Sequence, residues 1–129
     1  MIRLTRVGIA LGLFVALAVP GARAADRLFH NHLVKSSPAA DDTLGTSPTE
    51  IRLWFAEPAI PRLSGVALWA MGADSTRLPV GPMAATDTNV SVTTTLASPL
   101  APGTYRVRWR TASADGHAIR GFYDFVVIP

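Results

Sequence analysis

One stretch decides the fold: Thr104-Tyr105-Arg106-Val107-Arg108-Trp109-Arg110, in which large apolar side chains alternate with arginines. Successive side chains of a β-strand point to opposite faces, so this alternation predicts a strand with one buried face. The apolar face is expected to pack on a core. The three arginines are interpreted as a solvated outer face that also blunts pairing at a sheet edge, in preference to an anion-binding site.

The same period-two alternation recurs on both sides of this stretch. It is clear in the segments 51–55, 66–70, 90–93 and 122–127, and weaker in 33–35 and 77–80. Clusters of Pro, Gly, Ser and Thr separate the segments, and no window has convincing helical periodicity. The pattern predicts an all-β domain, an immunoglobulin-like, seven-stranded antiparallel Greek-key β-sandwich or barrel. Its core is expected to include the inward side chains Leu53, Phe55, Val107, Trp109 and Phe125.

The first 24 residues have the three parts of a secretory signal peptide. Arg3 and Arg6 precede an apolar run over 7–19, and Ala22-Arg23-Ala24 supplies the small residues that a signal peptidase recognises. The alternative is a membrane anchor, but a spanning helix needs roughly 18 apolar residues and this run is shorter. We therefore expect a signal peptide over 1–24, one exported domain over 25–129, and no membrane insertion after cleavage.

Composition excludes several classes of function. The chain has no Cys, which rules out disulfides, thiolate metal sites and cysteine nucleophiles. The formal net charge of +3 comes from the three arginines of the first 24 residues, and the remainder carries nine basic and nine acidic residues. A neutral domain gives no support for nucleic-acid binding.

All three histidines lie in two short motifs, His30-Asn31-His32 and Asp115-Gly116-His117. Residues two apart on an extended chain face the same way, so each motif can direct two side chains at one point. Three imidazoles and a carboxylate suit a tetragonal Cu(II) ion, and zinc uses much the same ligands in a tetrahedral arrangement. The alternatives to metal binding are a solvated tail around the first motif and an ordinary hairpin turn at the second.

The second motif also raises the question of catalysis. Ser113, Asp115 and His117 have the residue types of a catalytic triad, but they lie within five residues of the chain. A triad needs a base that reaches both the nucleophile and the orienting acid, usually from separate elements. The sequence has no Gly-x-Ser-x-Gly motif and no glycine-rich phosphate loop. We therefore expect that the protein is not an enzyme.

Five segments together carry a family resemblance. They are His30-Asn31-His32-Leu33-Val34-Lys35-Ser36-Ser37-Pro38-Ala39-Ala40, Ile51-Arg52-Leu53-Trp54-Phe55-Ala56-Glu57-Pro58, Leu63-Ser64-Gly65, the stretch from Leu100 to Arg110, and Ser113-Ala114-Asp115-Gly116-His117. In this order and spacing they resemble the CopC family of periplasmic copper-binding proteins, over nearly all of the chain after the signal peptide. The resemblance implies a seven-stranded Greek-key sandwich that binds copper outside the cytoplasm.

The resemblance also implies a set of Cu(II) ligands. In the family, the histidine that opens the mature chain binds through its amine and its imidazole, and an Asp-x-His segment adds a carboxylate and a second imidazole. These roles carry over to His30, Asp115 and His117, and a nearby family glutamate carries over to Glu57. His32 stands where family members vary, so it is a secondary candidate.

Two features depart from the family pattern. Cleavage after Ala24 makes His30 the sixth residue of the mature chain, which removes the amine ligand and leaves His32 to act as a third imidazole. Met71 and Met83 are the only methionines after the signal peptide. Because thioethers select Cu(I) and these two are isolated in the sequence, we expect no strong Cu(I) site.

The sequence thus favours a periplasmic protein that holds or delivers Cu(II) in copper homeostasis or resistance. The resemblance implies a CopD-type inner-membrane protein as its partner, and Asp115 either binds copper or orients an imidazole. One alternative is an immunoglobulin-like interaction module with a degenerate copper site, which the displaced His30 favours. A copper-dependent oxidase fits poorly, because the expected chain start lacks the histidine and the sequence shows no substrate cleft.

Overall fold

The computed structural model describes residues 31–85, 90–113 and 115–129. Within these residues the chain is almost entirely β-structure, and the helical element there is a short 3₁₀ helix, Pro61–Leu63. None of the described segments forms a helix long and apolar enough to cross a membrane. The expected signal peptide over 1–24 and the predicted ligand His30 lie outside the described residues.

The described residues form nine strands, numbered in chain order. They are β1 Leu33–Ser37, β2 Thr43–Leu44, β3 Glu50–Phe55, β4 Gly65–Met71, β5 Thr76–Leu78, β6 Ala84–Ala85, β7 Ser91–Thr95, β8 Gly103–Ala112 and β9 Ala118–Val127. Each of the seven segments with predicted strand character overlaps one of them. The two further strands, β2 and β6, have only two residues each.

The strands build two sheets. The first has four strands in the order β1-β3-β7-β6, and the second has five in the order β2-β9-β8-β4-β5. Neighbouring strands are antiparallel, except that β2 pairs in parallel with β9. The chain passes from one sheet to the other several times, as between β3 and β4, whereas the pairs β4/β5, β6/β7 and β8/β9 are neighbours within one sheet. The predicted all-β sandwich is confirmed.

β8 carries the stretch that decides the fold, and it is a central strand between β9 and β4. The interpretation of its arginines as protection of a sheet edge is therefore wrong, because β8 is hydrogen-bonded on both sides. The predicted directions of its side chains are confirmed. Arg108 and Arg110 are exposed and Arg106 is half-buried, whereas Tyr105 and Val107 are buried.

The core lies between the two sheets and contains the side chains that alternation predicts to point inward. Leu53, Phe55, Val107 and Phe125 are at most 4% exposed. Trp109 is half-buried and packs on this core, with its ring edge-on to Phe55 at 5.5 Å between ring centroids. Burying one such side chain stabilises a fold by roughly 1.5–3 kcal/mol, so the apolar faces determine which side of each strand faces inward.

Candidate metal centre

The Asp-Gly-His motif lies in the turn that joins β8 to β9. Backbone hydrogen bonds close the turn, from Ser113 N to His117 O at 3.0 Å and from Gly116 N to Ser113 O at 2.9 Å. Gly116 has a φ of 86°, a left-handed conformation that residues with side chains rarely adopt. The expected extended geometry of this motif is therefore wrong, because its residues form a tight turn.

Asp115 and His117 contact each other directly. Asp115 Oδ2 lies 2.6 Å from His117 Nδ1. Asp115 Oδ1 accepts hydrogen bonds from Ser113 Oγ at 2.7 Å and from His117 N at 3.1 Å. The carboxylate therefore closes the turn and holds the imidazole ring at the same time. Both side chains face solvent, with 47% of Asp115 and 74% of His117 exposed.

These hydrogen bonds also determine the charge of Asp115. Donation from Ser113, together with donation from His117, lowers the pKa of Asp115 well below its usual range. The carboxylate is ionised at neutral pH and can only accept, so the proton between the two side chains belongs to His117 Nδ1. In the neutral ring the lone pair is then on Nε2, which is the atom through which His117 can bind a metal.

Ser113 has different hydrogen-bond partners from the serine of a catalytic triad. Ser113 Oγ donates to Asp115 and lies 3.2 Å from the carbonyl oxygen of His117. In a triad the serine hydroxyl donates to the imidazole, and the carboxylate is on the far side of the ring. Ser113 is also buried, at 2% exposed. These contacts give Ser113 a structural role in the turn.

His32 directly precedes β1, beside the end of β3. Its neighbour Leu33 pairs with Phe55, and the amide of Ala56 donates to the carbonyl oxygen of His32 at 3.0 Å. The side chain of His32 is exposed. The backbone of His32 is thus anchored to the four-stranded sheet, while its ring lies at the surface.

Asn31 fastens the same segment to the loop that follows β3. Asn31 Nδ2 donates to Glu57 O at 3.2 Å, and Glu57 N donates to Asn31 Oδ1 at 2.9 Å. Asn31 is 1% exposed, so these two bonds compensate the burial of its amide group. Sequence reasoning missed this residue. Its only sequence signal is a polar side chain two residues before a strand, which is too common to single out.

The predicted ligand positions that the structure describes lie at one end of the sandwich. Loop 56–64 contains Glu57 and leads from the end of β3 to the start of β4, which pairs with the end of β8. A buried contact of 2.9 Å between the hydroxyl oxygens of Ser64 and Thr111 fixes this loop to β8. The β8–β9 turn therefore lies at the same end as His32 and Glu57.

Although these residues lie at the same end of the sandwich, they do not form a complete set of metal ligands. In the part of the chain that the structure describes, no three His, Asp or Glu side chains come close enough to hold a metal ion together. The structure brings Asp115 and His117 together, but it does not bring His32 or Glu57 into a three-ligand group with them. His30 is not among the described residues, so its role stays a prediction.

The two methionines pack as ordinary apolar side chains. Met71 is half-buried at the end of β4, where its Sδ accepts a hydrogen bond from Ser75 Oγ at 3.8 Å. Met83 is half-buried and packs against the hydrophobic core. These positions agree with a space-filling role for both residues, and the expectation of no strong Cu(I) site stays a prediction.

Comparison with known sequences gives a consistent set of relatives. Residues 33–128 match the model of the CopC domain. Copper resistance protein C of Xanthomonas campestris pv. juglandis is 32% identical over 117 residues, which cover 88% of this chain and 91% of that protein. Copper resistance protein C of Pseudomonas syringae pv. tomato is 36% identical over 102 residues, which cover 76% of this chain and 80% of that protein.

Comparison with solved structures agrees with the sequence relatives. PcoC, a methionine-rich copper resistance protein from Escherichia coli, matches with a TM-score of 0.70 at 33% sequence identity. The match covers 77% of this chain and 99% of PcoC. The domain model, the sequence identity and the fold thus point to one family over most of the chain. The chain therefore belongs to the CopC family.

Proposed function

We propose that the protein is a periplasmic copper-binding protein that holds or delivers Cu(II) in copper homeostasis or resistance. The observation that carries the proposal is the 2.6 Å contact between Asp115 Oδ2 and His117 Nδ1, at the end of the sandwich where His32 directly precedes β1. Copper as the metal is supported by relatives named copper resistance proteins. The predicted signal peptide supports a location outside the cytoplasm.

His117 would bind the metal through Nε2, with Asp115 as its positioning partner. A carboxylate on the distal nitrogen of a metal-binding histidine fixes the tautomer and the ring orientation and raises the basicity of the ligating nitrogen. Both oxygens of Asp115 already accept hydrogen bonds within the turn. This supports orientation of the imidazole, rather than direct copper ligation, as the role of Asp115.

His30 and His32 would supply the further imidazoles. Asn31 lies between them in the sequence, and its two hydrogen bonds to Glu57 anchor the segment that leads into His32. Two or three imidazole nitrogens suit Cu(II), and they do not require the N-terminal amine that cleavage after Ala24 removes from the site. Glu57 is a further ligand candidate, on the strength of the nearby family glutamate alone.

Delivery of copper requires an acceptor, and we propose a CopD-type inner-membrane protein in this role, on the strength of the family resemblance. A protein of this kind carries a metal ion and has no substrate to convert. The hydrogen bond from Ser113 to Asp115 supports a role without catalysis, because the Ser113 hydroxyl is engaged in closing the turn.

The second candidate function is an immunoglobulin-like interaction module whose copper site has degenerated. One observation favours it: the described residues hold no group of three His, Asp or Glu side chains arranged to bind a metal. The two functions differ in whether the purified protein takes up copper through its imidazoles.

Electron spin resonance of the Cu(II)-loaded exported protein separates the two functions. We expect one Cu(II) per chain with coupling to imidazole nitrogens, and mass spectrometry should find Ala25 as the first residue. Asp74→Asn is the matched control, because Asp74 follows β4 at the opposite end of the sandwich and its loss should leave the spectrum unchanged. A spectrum with oxygen ligands alone would favour the interaction module.

A further inference from the structure

The outer face of the five-stranded sheet concentrates positive charge. Cross-strand pairing places Arg77, Arg108, Arg110 and Arg120 on this face, with Phe122 opposite Arg108 and with Arg77 at the edge of the sheet, opposite Trp69. The four arginines are exposed, and 62% of Phe122 is exposed. We call these five residues the arginine face.

The charge of this face is not balanced locally. After residue 24 the chain has equal numbers of basic and acidic residues, yet the described strands place a single carboxylate on the outer side of this sheet, that of Asp124. Arg106 already binds Asp124 through two hydrogen bonds of 2.7 and 2.8 Å. Among the described residues, no carboxylate forms an ion pair with the four arginines of the arginine face.

Two of these arginines are direct neighbours across the sheet. Arg110 of β8 pairs with Arg120 of β9. Like charges directly opposite each other destabilise an antiparallel pair, whereas a merely solvated face can carry opposite or neutral side chains there. Local arrangements that cost stability are characteristic of functional surfaces. The pairing therefore indicates that these charges have a use outside the fold.

The arginine face borders a groove of about 740 Å³. Gly65 and Ala67 of β4 line the groove with little side-chain bulk, which leaves space between the arginine side chains that also line it. The groove extends as far as Gly116, between Asp115 and His117 in the β8–β9 turn. Its volume lies within the range of roughly 300–1,000 Å³ that is typical of pockets for small ligands, and it can also take a few side chains of an extended peptide.

We infer that the arginine face is a docking site for an acidic segment of a partner protein, with carboxylates on the arginines and an apolar side chain on Phe122. Guanidinium groups bind carboxylates through charge-assisted and often bidentate hydrogen bonds, and arginine clusters recognise acidic motifs. The concave groove favours a peptide segment over the flat surface of an anionic membrane. The inference does not require copper binding and holds for either candidate function.

Fluorescence anisotropy on the metal-free exported protein tests this inference. The probe is a short synthetic peptide, labelled with a neutral dye, in which glutamates flank a single phenylalanine. We expect binding that weakens with added salt and that is lost when glutamine replaces every glutamate. Arg110→Gln should weaken binding about tenfold, the effect of losing one charge-assisted contact. Phe122→Ser should weaken it as well.

Matched controls on the other sheet distinguish a specific site from general attraction. Lys35→Gln removes one exposed charge from β1, and Val34→Ser removes an apolar side chain that is 62% exposed. Both should bind the peptide like the wild type, and circular dichroism should show all four variants folded. The inference fails if Arg110→Gln and Lys35→Gln weaken binding equally. It also fails if the protein binds vesicles of anionic lipid but not the peptide.

Discussion

At the scale of single residues, Asp115 accepts hydrogen bonds from a hydroxyl, a backbone amide and an imidazole within one turn. The first two bonds shape the turn, and the third fixes the orientation and tautomer of the ring. Because the same carboxylate shapes the turn and orients the ring, the geometry of His117 depends on the charge of Asp115. This dependence can be tested without removing any imidazole.

Asp115→Asn keeps the size of the side chain but leaves only one acceptor oxygen. An amide group facing Nδ1 would favour the opposite tautomer of His117, and the reverse orientation would set that amide group against the donors of Ser113 and His117 N. We expect Cu(II) affinity to fall about 10- to 100-fold, as for other partners of metal-binding histidines. Calorimetric titration measures the change.

The control for this substitution is Asp74→Asn, which changes an exposed carboxylate at the other end of the sandwich and should leave the affinity unaltered. If Asp115→Asn binds Cu(II) as tightly as the wild type, then Asp115 does not orient the imidazole.

At the scale of strands, alternation predicts the elements that bury one face. The segments within β3, β4, β7, β8 and β9 could be located because each buried side chain favours one side of the sheet. Strands β2 and β6 could not, because two residues are too few to show a period; β2 is held by β9, far along the chain, and β6 by the following strand β7. The central position of β8 could not be predicted from the sequence either, because alternation does not reveal the order of the strands in a sheet.

The packing of β8 on β9 depends on Gly121. Gly121 pairs with Trp109, and a Cβ added at residue 121 would lie 2.6 Å from Cζ2 and 2.8 Å from Cε2 of the indole. Gly121→Ala would push the indole out of its contact with Phe55, so we expect a loss of about 1–3 kcal/mol in the free energy of unfolding. Urea denaturation monitored by tryptophan fluorescence measures it.

Gly72→Ala provides the comparison, because no atom lies within 4 Å of a Cβ added at residue 72. Its free energy of unfolding should stay within about 0.5 kcal/mol of the wild-type value. Equal stability of the two variants would show that the indole does not rest on Gly121.

The same two strands are joined on their outer side by Arg106 and Asp124. The hydrogen bonds from Arg106 lower the pKa of Asp124. A carboxylate whose pKa is lower in the folded state stabilises the fold above its unfolded-state pKa of about 3.9, and this contribution is lost as the pH falls through the folded-state value. Asp124→Asn should therefore cost about 0.5–1 kcal/mol at pH 7, as for other partly exposed pairs.

Urea denaturation over a range of pH tests the sign of this effect. The stability difference between wild type and Asp124→Asn should shrink as the pH falls below about 4, where the wild-type carboxylate begins to bind a proton. A difference that stays constant from neutral to strongly acid pH would contradict an electrostatic contribution from this pair.

At the scale of the whole molecule, the sandwich places the candidate metal centre at one end and the arginine face on one side, and the groove of that face reaches the metal centre at Gly116. The residue types of the candidate site could be predicted from the sequence. The anchoring of Asn31 could not, because its partner Glu57 is 26 residues away and meets it only after β1 pairs with β3. The groove extends to the residue that precedes His117 in the chain.

Cu(II) titration of the exported wild type and of His30→Ala, His32→Ala and His117→Ala tests the central proposal most directly. We predict one Cu(II) bound at pH 7 and released towards about pH 5, because only neutral imidazole binds the metal. His117→Ala should abolish most of the binding, His30→Ala should weaken it strongly, and His32→Ala should also weaken it, because no N-terminal amine compensates for the lost nitrogen. If the wild type and His117→Ala bind copper equally, the metal is adventitious and the protein is an interaction module.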